Sequence, residues 1–336
     1  MSMIKKLRDQ SGAPISDVKK ALEETGWDLK LASEELRKKG LSAASKKASR
    51  SACEGLVGLA SSGRGVAIVE INSETDFVAR NDLFTGAVSK AAQALLESAS
   101  AFAPDTGAGG STGVLNVDAE TLGAIRVRGD GGGSAGAGDS VEDGEVCLAD
   151  IVQGVAGTVR ENVKLRRGVV LRSLNGIGSG VVGTYLHAKV DGAPGCGRIA
   201  GAVLLESDGG FSGVGGVSGV GEGADLTVVQ ETANKLAMHV VGSVPKYLDR
   251  ESVPVEDLEK ERQLLMEQAG TTGKPANIVE KMVEGRLNKF YQEHCLLEQA
   301  FVMDDKKRVK DVVKELGKHV RLEAFARVAV EGDGDE

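Results

Sequence analysis

The sequence predicts an α+β protein built as a three-helix module, two subdomains that each combine an antiparallel sheet with helices, and a helical hairpin arm. Three observations lead to this prediction. The chain has 336 residues, which is more than one ordinary core organises. Apolar residues recur at helical spacing in the first 40 positions, and from residue 54 onward β-branched runs alternate with helical patterns. Two Gly-rich stretches interrupt the pattern, and the chain holds 46 glycines.

Composition and charge narrow the classes of function. The net charge is -8, with a carboxylate-rich segment at 331–336, so no direct binding to nucleic acid is expected. The four cysteines are far apart and form no C-x-x-C pair, which argues against a zinc site and a disulfide framework. No run of 18 apolar residues or signal-peptide core occurs, so membrane insertion and secretion are unsupported.

The N-terminal module, residues 1–41, reads as three short helices separated by glycines. Gly26 ends the second helix, Asp28 is positioned to cap the third, and Gly40 is predicted to stop it. Residues 42–53 are predicted as a linker, of which 42–50 could instead extend the third helix.

Residues 54–102 are predicted to form the first subdomain of the core. Strands at 55–60 and 66–72 flank a turn and form a hairpin. Apolar residues from Phe84 to Leu95 then mark an amphipathic helix that packs on this hairpin. Residues 103–144 are Gly-rich and apolar-poor, and are interpreted as a mobile insertion.

Residues 145–336 are predicted to form the second subdomain, with a Gly-rich insertion at 207–223. The helical hairpin arm spans about 255–294, and Pro275 suits the first position of its second helix. The remaining predicted elements are helices at 148–162, 226–240 and 307–316, and strands at 164–174, 181–190, 198–205 and 320–330.

The sequence contains little that predicts covalent chemistry. The G-x-G-x-x-G at 178–183 is followed by a strand-like stretch and not by a helix, so its context does not fit a dinucleotide site. The similar pattern at 219–224 lies in low-complexity sequence. The four histidines lack metal-ligand spacing, and we interpret them as surface or helix-edge imidazoles. We expect no catalytic residues, cofactor or metal.

The connection after the second strand holds an unusual pair, a carboxylate beside a large apolar residue. On structural grounds alone, Thr75 or Asp76 would cap a helical turn and Phe77 would cover the sheet. However, the run Thr75-Asp76-Phe77-Val78-Ala79-Arg80-Asn81 resembles the signature of the elongation factor Ts family.

Further blocks resemble this family in the family's order, and together they span nearly the whole chain. The N-terminal blocks are similar to its ubiquitin-associated-type (UBA-like) module. The blocks are Leu7-Arg8 with Gly12-Ala13, Lys19-Lys20-Ala21-Leu22, Leu36-Arg37-Lys38-Lys39-Gly40, Gly183-Thr184-Tyr185-Leu186-His187, Gly197-Arg198-Ile199, Leu236-Ala237-Met238-His239-Val240, Gly273-Lys274-Pro275, Glu280-Lys281-Met282-Val283-Glu284-Gly285-Arg286 and Phe301-Val302-Met303.

The resemblance implies a non-enzymatic guanine-nucleotide exchange factor that binds elongation factor Tu and promotes GDP release. In the family, the aromatic ring of the signature wedges into the G domain near the magnesium site. That role would fall to Phe77, with Asp76 positioning the turn and acting electrostatically near the magnesium. The implied contact residues are Arg8, Ile15, Lys19, Thr75, Asp76, Phe77, Val78, His187, Val302 and Met303.

The chain also departs from the family pattern. The Gly-rich insertions have no counterpart that we can align, and Arg160 stands where the family usually has a small residue, so no contact is assigned to it. No extra helical module follows the strand at 320–330, which favours an organellar type. We therefore expect the mitochondrial matrix, with plastid stroma or bacterial cytoplasm as alternatives. Homodimer formation stays open.

Two other functions compete with this one. A ubiquitin-binding adaptor would use the N-terminal module, but it explains only the first 40 residues. A nicotinamide-dependent oxidoreductase would rest on the glycines at 178–183.

Overall fold

The computed structural model describes most of the chain. Several predicted features lie outside the described residues: most of the two Gly-rich stretches, Gly178, the pattern at 219–224, Pro275 and the turn of the arm, and the carboxylate-rich end. The described residues are 3–47, 49–63, 65–99, 113–128, 145–173, 179–208, 210–211, 225–270 and 276–331.

The N-terminal module consists of three helices, α1 (Met3–Ser11), α2 (Ile15–Glu24) and α3 (Leu29–Lys47). Their shared core contains Leu7 and Leu22. Asp28 caps α3, as predicted, because its carboxylate accepts the backbone N–H groups of residues 30 and 31 at 2.8 and 3.0 Å. The prediction that α3 stops at Gly40 is wrong. The helix continues to Lys47, as in the alternative in which the segment after Gly40 extends it.

The first part of the core begins with a hairpin and ends with a strand that returns to it. Five strands pair antiparallel in the order β3-β6-β2-β1-β8, of which β8 (Cys196–Gly197) comes from the second part of the core. The elements up to β6 are β1 (Glu54–Ser62), β2 (Gly65–Ser73), α4 (Asp76–Ala79), α5 (Asp82–Ser98), β3 (Val114–Asp118), α6 (Ala119–Ala124), β4 (Arg126–Arg128), β5 (Glu145–Cys147), α7 (Leu148–Val159) and β6 (Val163–Arg172).

The second part of the core contains a three-stranded antiparallel sheet in the order β12-β9-β7. The short strand β8 lies between β7 and β9 in the chain but pairs with β1 of the first sheet. The elements are β7 (Gly180–His187), β8 (Cys196–Gly197), β9 (Ile199–Ser207), α8 (Leu226–Ser243), α9 (Val255–Gly270), α10 (Ala276–His294), β10 (Ala300–Phe301), β11 (Asp304–Arg308), α11 (Val309–Glu315) and β12 (Val320–Ala329).

The two sheets pack face to face, with helices on their outer faces. Ile68 and Leu171 of the first sheet share a buried cluster with Leu204 and Val328 of the second. Helices α5 and α7 cover the first sheet in a core that includes Phe84. Helix α8 covers the second sheet in a separate core. The α+β class predicted from the sequence is confirmed.

The predicted boundary at 144/145 does not coincide with the division between the sheets. Strand β6 pairs with β2 on one side and β3 on the other, and α7 packs in the core of the first sheet. Within the predicted insertion 103–144, residues 113–128 form β3, α6 and β4. The pairing of β2 with β6 joins segments about 100 residues apart, and such pairing leaves no local pattern in the sequence.

Gly40 has a packing role. A Cβ atom built on Gly157 of α7 would lie 2.8 Å from the carbonyl carbon of Gly40, and one on Gly40 would lie 3.3 Å from the Cα of Gly157. Helices α3 and α7 therefore cross where neither has a side chain, and this close contact docks the N-terminal module on the core.

We predict that Gly157→Ala lowers the free energy of unfolding, although alanine favours a helix over glycine by about 1 kcal/mol. The added methyl group would meet the backbone of Gly40, which cannot move without shifting α3. Gly285→Ala in α10 is the matched control, because its methyl group meets no atom within 4 Å. Urea unfolding should show the control stabilised and Gly157→Ala destabilised. Stabilisation of both would contradict the contact.

Candidate partner interface

Phe77 is the most exposed large apolar side chain among the described residues. It lies in α4, the single helical turn that follows β2, and 81% of its surface is accessible. Its neighbours Val78 and Ala79 are buried in the core of the first sheet. Phe77 therefore points away from the protein on a turn whose next two residues are anchored. The structural interpretation, in which Phe77 covers the sheet, is wrong.

Val78 was also expected to contact a partner. In this structure its side chain is buried in the core, so it anchors the turn. Asp76 remains accessible on the turn. Its carboxylate lies 3.4 Å from Arg80, one helical turn away, and so exposed a pair stabilises little.

Thr75 stands at the N-cap position of α4, but its side chain does not cap the helix. Its hydroxyl and its backbone N–H both donate to the carboxylate of Glu161, at 2.7 and 3.0 Å. Glu161 lies between α7 and β6, 86 residues away in the chain. Sequence reasoning missed Glu161, because nothing near it in the chain indicates that it contacts Thr75.

The residue before Glu161 connects the segment between α7 and β6 to the N-terminal module. Arg160 adopts a left-handed backbone conformation with φ of 59°, which ends α7. Its guanidinium forms an ion pair with Asp17 of α2, and its carbonyl accepts a hydrogen bond from Lys47. Helix α2 and the Phe77 turn are thus joined through two consecutive residues.

The expected contact residues of the N-terminal module all lie on its surface. Arg8 in α1 is exposed, and Ile15 at the start of α2 keeps 53% of its surface accessible. Lys19 is exposed one turn further on, 3.7 Å from Glu23. Since Asp17 lies between Ile15 and Lys19, its ion pair with Arg160 joins this end of α2 to the segment that carries Glu161.

The remaining expected contacts lie in the second part of the core. Val302 and Met303 form the tip between β10 and β11, with 54% and 48% of their surfaces accessible. His187 ends β7 and is exposed. These residues are supported by different elements from those that hold the Phe77 turn.

A buried histidine supports the tip at Val302. The backbone N–H of Val302 donates to Nδ1 of His239 at 3.1 Å, and Nε2 of His239 lies 2.9 Å from the amide oxygen of Gln299. This pattern requires the proton on Nε2. Burial lowers the pKa of His239, which favours the neutral ring. The interpretation of His239 as a surface or helix-edge imidazole is therefore wrong.

The helical arm is fixed at its base by a buried carboxylate. Glu298 accepts hydrogen bonds from Arg250 at 3.1 Å, Arg308 at 2.7 Å and Lys310 at 3.1 Å. Burial raises the pKa of the Glu298 carboxyl, but the hydrogen bonds from Arg250 and Lys310 outweigh burial and hold that pKa below its usual value. Arg250 also donates to Asn288 of α10 at 3.1 Å.

The described residues bear on two kinds of site considered from the sequence, a dinucleotide site and a metal site. Gly180 and Gly183 lie in β7 of an antiparallel sheet, and a Cβ atom on Gly183 would lie 2.1 Å from the backbone of Ala233 in α8. That glycine permits close packing of helix on sheet. In the described ranges, no group of three His, Cys, Asp or Glu side chains could hold a metal ion.

No described helix is long and apolar enough to cross a membrane.

Comparison with known proteins identifies similar sequences across the whole chain. The family model described as elongation factor TS matches residues 74–332. An elongation factor Ts from Paramagnetospirillum magneticum is 40% identical over 100% of this chain and 92% of its own length. Mitochondrial elongation factors Ts from Ricinus communis and Ostreococcus tauri are 40% and 41% identical, over 99% and 100% of this chain and 81% and 88% of their own lengths.

We predict that His239→Ala lowers the free energy of unfolding by roughly 3 kcal/mol, because it leaves a cavity and removes a buried partner from Gln299 and Val302. His239→Asn should lose less, since its amide oxygen can take the place of Nδ1. Urea denaturation of both variants measures the difference. Equal losses would show that the bond to Val302 contributes nothing.

We predict a pH dependence that His239→Asn removes. The pKa of His239 is below its usual value in the folded protein, so the unfolded chain binds the proton more readily. The stability that the neutral ring contributes is fully present above about pH 6.5 and is lost as the pH falls through the folded pKa. The stability advantage of the wild type over His239→Asn should therefore shrink below about pH 6.5. A constant difference would contradict this.

Proposed function

The chain belongs to the elongation factor Ts family, and on that premise we propose that it is a guanine-nucleotide exchange factor for elongation factor Tu. It binds the GDP-bound partner, disrupts the magnesium and phosphate site, and promotes GDP release so that GTP can bind. The observation that supports this function best is the exposed Phe77 on an anchored turn, in the segment that carries the family signature.

Phe77 is suited to act as a wedge because exposure and anchoring occur together. A single exposed apolar side chain is ordinary. When such a side chain stands on a mobile backbone, its burial in a partner costs conformational entropy. Here the backbone on one side of the ring is bound by Glu161, and on the other side Val78 is buried. The ring therefore enters a partner at little further cost in backbone entropy.

Asp76 adds charge to the same turn. Its carboxylate is paired only with a mostly exposed Arg80 in the described structure, and the partner's surface can replace that weak contact. Next to a bound magnesium ion, a new carboxylate competes for the metal or for the groups that hold it. We therefore assign Asp76 a role in displacing the metal while Phe77 opens the site.

The free energies show why other surfaces must also contribute. A thousandfold acceleration of GDP release requires about 4 kcal/mol, and burial of one phenylalanine supplies roughly 1.5–3 kcal/mol. The exposed apolar residues Ile15, Val302 and Met303 are the contacts that supply the rest. Because coupling between two ligands is reciprocal, GTP weakens binding of the exchange factor by the same free energy with which the factor weakens binding of GTP.

The function requires no covalent step, so we propose that the protein is not an enzyme in the usual sense and has no cofactor. We place it in the mitochondrial matrix, since mitochondrial relatives of a plant and an alga match along the whole chain. The equally similar bacterial relative leaves an organellar or bacterial compartment as the coarser conclusion.

We predict that Phe77→Ala slows GDP release at a saturating concentration of the factor by about 10- to 100-fold, the equivalent of the burial energy of the ring. Stopped-flow fluorescence of labelled GDP on a mitochondrial elongation factor Tu measures this. Because Phe77 is exposed, the free energy of unfolding of the Phe77→Ala variant should differ from that of the wild type by less than about 0.5 kcal/mol. Val228→Ala, at an exposed site on α8, is the control and should release GDP at the wild-type rate.

Two outcomes would overturn parts of the proposal. If the wild type accelerates release and Phe77→Ala does so equally, the exchange function stands and the wedge role is wrong. If the wild type accelerates release from no mitochondrial, plastid or bacterial partner, the exchange function itself is wrong.

A further inference from the structure

Where the pairing of β2 with β6 ends, a carboxylate next to each strand accepts a backbone N–H from the segment next to the other strand. The last paired residues are Ser73 and Val163. Continued in this register, the ladder would set Glu74 opposite Asn162 and Thr75 opposite Glu161. The backbone N–H of Asn162 instead donates to the Glu74 carboxylate at 2.6 Å, and the N–H of Thr75 donates to Glu161 at 3.0 Å. The segment that follows β2 and the segment that precedes β6 thus form a reciprocal pair of hydrogen bonds, each from a backbone N–H to a side-chain carboxylate of the other.

The hydrogen bond to Glu74 and the hydrogen bonds to Glu161 stabilise different segments of the chain. The bond to Glu74 secures the start of β6, where the amide of Asn162 also donates to the carbonyl of Arg50 at 2.6 Å. The bonds to Glu161 secure the chain that leaves the sheet toward Phe77. The Glu161 carboxylate binds both the N–H and the hydroxyl of Thr75, two charge-assisted hydrogen bonds of the stronger kind.

The bonds to Thr75 complete the support of the Phe77 turn. Downstream of Phe77, burial of Val78 and Ala79 fixes the backbone. Upstream, Thr75 has an extended conformation with φ of -130° and ψ of 156°, and the bonds to Glu161 hold it there. The hydroxyl of the last β2 residue also donates to the Thr75 carbonyl at 3.0 Å, so the bonds to Glu161 add a hold from across the sheet to one from the same strand.

We propose that Glu161 is a positioning residue for nucleotide exchange: through its two hydrogen bonds to Thr75 it sets the direction in which Phe77 projects. This inference rests on the proposed function of Phe77. Arg160 contributes less, because its ion pair with Asp17 is about half exposed on both sides and such pairs stabilise little. The bonds of Glu161 act on a partly buried backbone group two residues from the ring.

The test compares Glu161→Ala with Glu161→Gln. The alanine variant should lower the maximal rate of GDP release by about tenfold, the effect of losing charge-assisted bonds worth about 1.4 kcal/mol. The factor concentration for half-maximal release should change less than about twofold, because the distant contacts remain. Glutamine should restore most of the rate, since its amide can accept from the N–H of Thr75 and donate to its hydroxyl.

Two controls separate positioning from a general structural effect. Glu315→Ala removes a carboxylate that also accepts two hydrogen bonds, from Lys307 at 2.6 and 2.9 Å, and should keep the wild-type rate. In a Phe77→Ala background, Glu161→Ala should cause no further loss, because it acts through a ring that is no longer present. A further loss of similar size in that background would overturn the proposal.

Hydrogen exchange at the Thr75 amide tests the inference without any partner. Glu161→Ala should speed exchange in 74–77 and leave β2 at 66–72 unchanged, while an unchanged Thr75 amide would overturn the proposal. If the wild type accelerates no GDP release, the proposed function fails, and this measurement still decides whether Glu161 holds the turn. Should Glu161→Ala not fold, Glu161→Asp is used in both assays, since its shorter side chain cannot reach both groups of Thr75.

Discussion

The antiparallel pairing of β2 with β6 is the interaction on which the rest of the structure depends. It inserts a segment from the middle of the chain into the first sheet, between β2 and β3. Because α7 leads directly into β6, the same pairing positions Gly157 against Gly40 and so docks the N-terminal module. At its far end, the pairing stops where Thr75 and Glu161 meet. The module and the Phe77 turn are therefore located by one ladder.

A buried carboxylate reinforces this pairing at its centre. Glu70 on β2 is 0% exposed and accepts from Nε of Arg167 on β6 at 2.9 Å and from the backbone N–H of Glu331, after β12, at 2.9 Å. A buried charge costs several kcal/mol unless it is paired and hydrogen-bonded, so a shifted register would be strongly unfavourable. Glu70 thus favours one alignment of β2 with β6 and joins it to the last strand of the second sheet.

Sequence patterns predicted the elements whose burial is one-sided. Helix α5 and strand β12 show clear periodicity, because each buries one face and exposes the other. The partner of β6 was missed, because a strand covered on both faces looks the same whichever sheet it joins. Gly40 was misread as a stop signal, since the same residue serves a helix end or a close helix crossing. The support by Glu161 and His239 was not predictable, because it depends on contacts 86 and 63 residues apart in the chain.

In the proposed function, the same contacts would allow a residue on a loop to act as a wedge in another protein. Loops usually hold functional residues at the cost of mobility, and a mobile wedge would lose conformational entropy when it enters its site. Burial of the ring supplies roughly 1.5–3 kcal/mol, so an entropy loss of about 1–2 kcal/mol for each backbone residue ordered would remove most of it. The Phe77 turn avoids this loss, since Glu161 and Val78 order its backbone before any partner binds. For the proposed wedge, rigidity at residues 75 and 78 is therefore as necessary as the phenyl ring between them.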